Sequence, residues 1–373
     1  MKPAPFKNIR LLFLAVLLSC VEPFNYSPPP AQFLTVVEGM ISTEPGPYTV
    51  KISRSLSLEA DTADIVPFEG VNVTLFDDEG NSESFTEVVP GEYQTGGQIR
   101  GKVGHEYFIR LETPEGRVFE SMPDMIHPVG EIEQVYYEFE ERTVLQDEFE
   151  LTRDVFNVFI DSRSNEQNSR MRWRYTGTYE VLTYPELRMT EIPPYTPYKN
   201  PVPCSGYIVI EHVPGGKLFQ VEPCTCCECW VNEYESYPQL SDDQFIVEGA
   251  FNRIKVGEVP VNSFTFYQKF MITVEQMSLS EAAYSFFKLI RDQKVNASNI
   301  FQPPSGEIRG NIRAVNSSDA VVGMFWATAI DKQRVYIYPE EIPYPLTPPR
   351  VITEACYDAF QNATTEIPEG WEE

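Results

Sequence analysis

Between residues 33 and 125, apolar side chains recur at every second position, and the runs are cut short by glycine and proline. "PYTVKISRS" turns Tyr48, Val50 and Ile52 to one side and Thr49, Lys51 and Ser53 to the other. "VNVTLF" puts Val71, Val73 and Leu75 on one face. A two-residue period belongs to a pleated strand with one face in a core, and a helix cannot present it as one stripe. "GEYQTGG", "HEYFIRLE" and "RVFES" continue the pattern, with "TPEG" (Thr113–Gly116) as a turn. Short strands at this spacing predict an immunoglobulin- or transthyretin-like β-sandwich over 33–125, and the pattern does not choose between the two topologies. "DDEGNSE" (77–83) superficially suggests a calcium loop, but its shortness and strand-like flanks read as a hairpin turn.

"SMPDMIHPVGEIEQ" reads as a crossover into a larger β-rich domain, 126–373. Its strand-like runs are "QVYYEFEER", "DVFNVFIDSR" and "MRWRYTGTYEVLTY". In the last of these, Trp173 alternates with Arg172 and Arg174 as in a half-buried strand. The Pro- and Tyr-rich stretch 184–204 has no period and predicts a long loop leading into the cysteines. One amphipathic helix is predicted at about 279–293. Ser278 stands at capping-box spacing from Glu281, and Leu279, Ala283, Phe286, Phe287 and Ile290 share a face. "SFTFYQKFMITVEQ" before it reads as one long strand, the region 306–337 after it as three more, and the tail "PEGWEE" as loose.

The N-terminus predicts where the chain works. Lys2, Lys7 and Arg10 precede the apolar run Leu11–Leu18 and the sequence Leu17-Leu18-Ser19-Cys20. This is the order of a lipoprotein signal peptide (1–19), with Cys20 as the lipidated first residue of the mature chain. Residues 20–32, with Pro23, Pro28, Pro29 and Pro30, form a Pro-rich tether. No other apolar run approaches the roughly 20 residues of a membrane-spanning helix. Loss of the leader removes three basic and no acidic residues, so the mature charge falls from −26 to −29. Such a surface repels phosphate backbones, which excludes nucleic acid as a partner.

The motifs of common hydrolases are missing. Three histidines, His105, His127 and His212, are scattered, and no HExxH, GxSxG or phosphate loop occurs. "EHVPGGK" (211–217) lacks the spacing of a phosphate loop and reads as a strand end followed by a Gly-Gly turn. A glycosidase needs only two facing carboxylates, and 55 acidic residues leave such a pair impossible to nominate. The Tyr-rich loop 184–198 is a candidate surface for sugar or peptide, weighed against the plain fitness of Tyr for sheet packing.

With Cys20 reserved for lipid, six cysteines remain: Cys204, Cys224, Cys226, Cys227, Cys229 and Cys356. An even number in an oxidising envelope favours disulfides, with fifteen possible connectivities. A Cys226–Cys227 bridge would be strained, whereas Cys204 and Cys356 are natural long-range partners for two cluster members, leaving a third pair inside the cluster. Four thiolates within six residues wrap a zinc ion poorly, and no helix follows the CxxC as in a redox centre. Disulfides are therefore expected, with no metal, no cofactor and no nominated catalytic residue.

The order of several elements resembles a known family. A lipobox cysteine followed by "EPF" and "VVEGMI", then "GPYTVKISRS", "PFEGVNVTLFDDEG…GEYQT", "MRWRY", the pair Cys229-Trp230 and "FQPPSGEIRGNI…VVGMFWA" resemble the Bacteroidota outer-membrane lipoproteins of the domain-of-unknown-function family numbered 4249. The resemblance implies no enzymatic activity. It implies an accessory or ligand-capturing role beside an outer-membrane TonB-dependent receptor, with an envelope hydrolase or a structural subunit of a membrane complex as alternatives. The cell surface is favoured over the periplasmic face, although only Glu22 supplies the acidity that exported lipoproteins carry after the lipid cysteine. The place of the Cys-Trp pair in the family pattern implies that Cys229 pairs with Cys204.

Overall fold

The computed structural model describes residues 34–372 apart from 56–65, 147–148, 193–195, 211–215, 242–248, 297–307 and 309. Cys20, the leader, the tether and His212 lie outside the described residues.

The chain is mainly β and forms two stacked sandwiches. In the first, one sheet runs in the order Val321–Thr328, Thr35–Ser42, Thr49–Arg54, Glu92–Gln94 and Thr86–Val89, with Val66–Pro67 beside Thr49–Arg54. The facing sheet runs Ile312–Ala314, Val118–Ser121, Glu106–Glu112, Asn72–Asp77 and Ser82–Ser84, with Asp124–Met125 beside Glu106–Glu112. Between them lie the residues of the alternating pattern: Val37, Ile41, Val50, Ile52, Val73, Leu75, Ile109 and Leu111 are all at most 2% exposed. The turn at 77–83 is a hairpin turn, with the Asp77 carboxylate accepting from the Glu79 and Asn81 amides.

The 33–125 segment does not close this sandwich alone. Val321–Thr328 pairs in parallel with Thr35–Ser42, and Ile312–Ala314 pairs with Val118–Ser121. Alternation identifies a strand but carries no information about the sheet that accepts it, so these distant strands were assigned by sequence order to the wrong half.

The second sandwich sets the three-stranded sheet Glu131–Glu140, Val155–Arg163, Ala250–Pro260 against a larger one. That sheet runs Ile330–Ile337, Phe270–Ser278, Met171–Leu182, Glu228–Tyr234 and Ala363–Thr364, with Gln239–Leu240 beside Met171–Leu182. Trp173, Tyr175, Val181, Phe251, Phe270, Ile272 and Val274 fill the space between. Trp173 is 1% exposed and its indole N–H donates to Gln276 Oε1 at 2.8 Å. Arg172, on the other face, is also covered and pairs with Glu235 at 2.6 Å. The "MRWRY" strand thus buries Met171, Trp173 and Tyr175 and leaves Arg172 and Arg174 partly covered, the half-buried alternation expected.

Two further expectations change. Asn262 Oδ1 accepts from the amides of Phe264 and Thr265, closing a turn, so the strand starts only at Phe270. Met189–Ile192 pairs with Thr196–Lys199 inside the stretch expected to be an unstructured loop. Prolines on a two-stranded hairpin cost few ladder bonds, and they erased the sequence signal.

The helix spans Glu281–Asn296. Its cap is Ser280, whose hydroxyl accepts from the Ala283 amide at 3.1 Å, and not Ser278. Ser278 is fully buried where the sandwiches meet. Its hydroxyl donates to the His127 carbonyl at 2.7 Å and accepts from the Ala329 amide at 2.9 Å, while Thr328 Oγ1 donates to its carbonyl at 2.8 Å. The chain passes through this node from Thr328 in one sandwich to Ile330 in the other, so one nearly continuous strand spans both. Ala283 and Phe287 of the helix, with Leu279 just before its cap, pack against Leu240 and Met324, one residue from each sandwich.

Candidate functional site

At one end of the six-stranded sheet of the second sandwich the six paired cysteines gather: Cys204, Cys224, Cys226 and Cys227 on loops and turns, Cys229 in the strand Glu228–Tyr234 and Cys356 in the short helix Cys356–Ala359. Met171–Leu182 runs out through Thr183 and Tyr184 into the 3-10 turn Pro185–Leu187, the 189–199 hairpin and the turn Pro203–Ser205. Gly206 follows at φ 72°, where a Cβ would meet the Glu222 carbonyl at 2.1 Å, so this close crossing requires glycine. A second hairpin, Tyr207–Val209 with Leu218–Gln220, leads into the cysteine cluster and the strand Glu228–Tyr234.

The bridges are Cys204–Cys226, Cys224–Cys227 and Cys229–Cys356. The Cys204–Cys229 pairing is corrected. Cys229 stands opposite Val181 in the sheet and faces the core, where the equally buried Cys356 meets it. Cys204, on the loop outside the core, reaches Cys226. Backbone bonds tie the same loops together: Thr183 N–H to Cys227 C=O at 2.7 Å, Cys356 N–H to Cys226 C=O at 3.0 Å, and Tyr184 N–H to Ile352 C=O at 2.7 Å.

Large apolar side chains are exposed on these loops and hairpins. Tyr184, Leu187, Met189, Ile208, Ile210, Phe219 and Val221 all face solvent, Ile210 at 65%. Ile208 and Phe219 stand directly opposite each other and make an apolar rung on the second hairpin. Tyr184 and Leu187 also line a groove of about 320 Å³ with Phe264, Tyr267, Pro348, Pro349 and Val351. Segment 184–222 holds Arg188, Lys199 and Lys217 against Glu186, Glu191, Glu211 and Glu222, near neutrality in a chain of net −26. The Tyr-rich loop was singled out from sequence. The groove was not, because its far wall comes from residues 264–267 and 348–351.

A larger groove, about 740 Å³, lies where the sandwiches meet, between Trp326 and Met40 on one side and Arg174, Glu275 and Lys332 on the other. Two of its ion pairs are Arg174 with Glu275 at 2.5 Å and Lys332 with Glu369 at 3.6 Å. Glu369 belongs to the tail, which is docked and not loose. Trp371 is buried against Trp230 and Met271, and Tyr336 donates to the Gly370 carbonyl at 2.5 Å.

Burial raises the carboxyls of Asp124, Glu180 and Glu233. Glu180, 4% exposed, is raised to about 7 by burial first and then by the neighbouring Glu228. It lies in the sheet across from Trp230 and not in an open cleft. His105 pairs with Asp78 at the edge of the first sandwich, and His127 sits at the junction of the two sandwiches. Among the described residues, no three His, Cys, Asp or Glu side chains gather where they could hold a metal ion.

No curated protein matches the chain significantly. The family model described as "Domain of unknown function (DUF4249)" matches residues 21–334, most of the chain, and the protein belongs to that family.

Proposed function

We propose that this protein is a lipid-anchored accessory protein of the outer membrane, held there by acylated Cys20 and favouring the cell surface, which captures ligand for a TonB-dependent receptor. The observation that carries this reading is the exposed apolar surface on the two hairpins beside the disulfides, the second of them enclosed by Cys204–Cys226. Apolar groups concentrated on paired strands where local charge is near neutral lose less conformational entropy on docking than groups on an open chain. A strongly acidic body elsewhere limits non-specific association. A β-barrel rim offers an extended, partly apolar surface of matching character.

Glu180 and Glu228 do not support the hydrolase alternative, because a general acid must reach the bond it protonates and Glu180 is enclosed.

The test is purification in mild detergent with the anchor intact. The wild type is expected to bring down a β-barrel receptor, and Ile208→Glu/Phe219→Glu to lose it while keeping its unfolding midpoint. A wild type that leaves native membranes as a clean monomer would refute the reading. Cys20→Ser is expected to move the protein from the membrane to the soluble fraction.

A further inference from the structure

The three disulfides are not equivalent. Cys229–Cys356 closes 127 residues and Cys204–Cys226 closes 22, whereas Cys224–Cys227 spans only three. The restraint a bridge places on the unfolded chain grows with the loop it closes, so the third contributes least to stability. Exposure runs the same way. Cys226, Cys229 and Cys356 are each 0% exposed, so both longer bridges have at least one sulfur sealed in the fold. Cys224 and Cys227 are both half-buried and reach solvent.

The turn that carries them is held by other means. Cys226, inside it, is bridged to Cys204, and Cys229, just beyond it, to Cys356. Thr183 N–H holds the Cys227 carbonyl and Thr225 N–H bonds the Cys204 carbonyl at 2.9 Å. Opening the 224–227 bridge therefore leaves its two ends in place, with Cα atoms 5.8 Å apart and ready to rejoin.

We infer that Cys224–Cys227 is a reversible thiol–disulfide exchange site for a neutral or cationic dithiol, while the other two bridges are structural. In the reaction a thiolate of the dithiol attacks one sulfur of the bridge, and the electron pair of the broken S–S bond leaves on the other cysteine, which takes up a proton. The second thiol of the dithiol then displaces the mixed disulfide. This yields reduced Cys224 and Cys227 and the oxidised cyclic dithiol, a two-electron transfer that a disulfide oxidant reverses. Exposed Glu222 and Glu228 flank the turn, so an anionic thiol is repelled.

The test treats the folded protein with limiting dithiothreitol, alkylates the freed thiols and maps them by mass spectrometry. Cys224 and Cys227 are expected to be labelled first, with 204–226 and 229–356 intact, an unchanged circular dichroism spectrum and full re-closure on adding oxidised dithiothreitol. Glutathione, an anionic thiol, is expected to open the bridge at least tenfold more slowly at low salt, with the gap narrowing at high salt. A Cys224→Ser/Cys227→Ser variant should fold with a midpoint within a few degrees of wild type and show no labelling under the same conditions. Prior opening of 204–226, simultaneous opening of all three bridges, or failure of the double variant to fold would each overturn the assignment.

Discussion

At the scale of single residues, the acidic side chains divide by environment. Glu369, held by Arg334 and Lys332, and Glu87, bonded by the Gly91 and Gly70 amides, sit below the usual carboxylate range and favour the fold once ionised. Glu180 is opposite. Its folded value of about 7 lies above the unfolded one, so its contribution is complete below about pH 4.3 and is lost as pH rises towards 7. Glu180→Gln removes that ionisation. Its unfolding midpoint should fall less than that of the wild type between pH 5 and 8, and parallel pH profiles would contradict the assignment. The Arg172–Glu235 pair, with side chains 13% and 8% exposed, is sealed under Phe287, over which the guanidinium stacks at 4.5 Å. Removing one partner strands a buried charge. Glu235→Gln should therefore cost about 3–5 kcal/mol in denaturant unfolding, more than loss of an exposed pair such as Arg54–Glu115. Alternation gave the strand its dry face correctly but carried no information about what partly covers Arg172 on the other. The second layer, brought by the helix, is a long-range fact.

At the scale of elements, the strands were legible wherever one face was dry, and the helix was legible from its apolar stripe. The cap was not, because "SLSE" offers two hydroxyls and only the tertiary structure claims Ser278 for the junction. Ser280→Ala should cost about 1 kcal/mol, as for a lost helix cap. Ser278→Ala should cost more, since it leaves buried partners unsatisfied. Equal effects in denaturant titrations would argue against this division. The tail was misread because its only apolar anchor, Trp371, stands among acidic residues, whereas its partners Trp230 and Met271 lie on distant strands. Trp371→Ala should destabilise by about 3 kcal/mol and expose Trp230 to solvent. A red-shifted tryptophan emission from the folded variant checks this, and unchanged stability and emission would show that the tail does not cover the sheet.

At the scale of the molecule, two sandwiches share one strand path and a buried polar node, so the cysteine-bearing end is carried on a continuous scaffold. Sequence order suggested a self-contained N-terminal sandwich. The structure instead closes it with residues 312–328, a topology that depends on parallel pairing far along the chain. The disulfides were legible from the even number of cysteines and the compartment the leader leads one to expect, and so was the presence of one pair within the cluster. The remaining pairings were not, because they depend on which face of Glu228–Tyr234 looks inward. The exposed apolar rung at Ile208 and Phe219 was equally hidden, since an apolar pair in a sequence reads as core until the sheet behind it is known. The central claim, that this stapled end meets a receptor barrel, is tested most directly by site-specific photocrosslinking in intact cells. A crosslinker at Ile210 is expected to give an adduct with an outer-membrane β-barrel, and one at Met122, exposed on the first sandwich, to give none. Equal adducts from both positions, or an adduct from Met122 alone, would contradict the account.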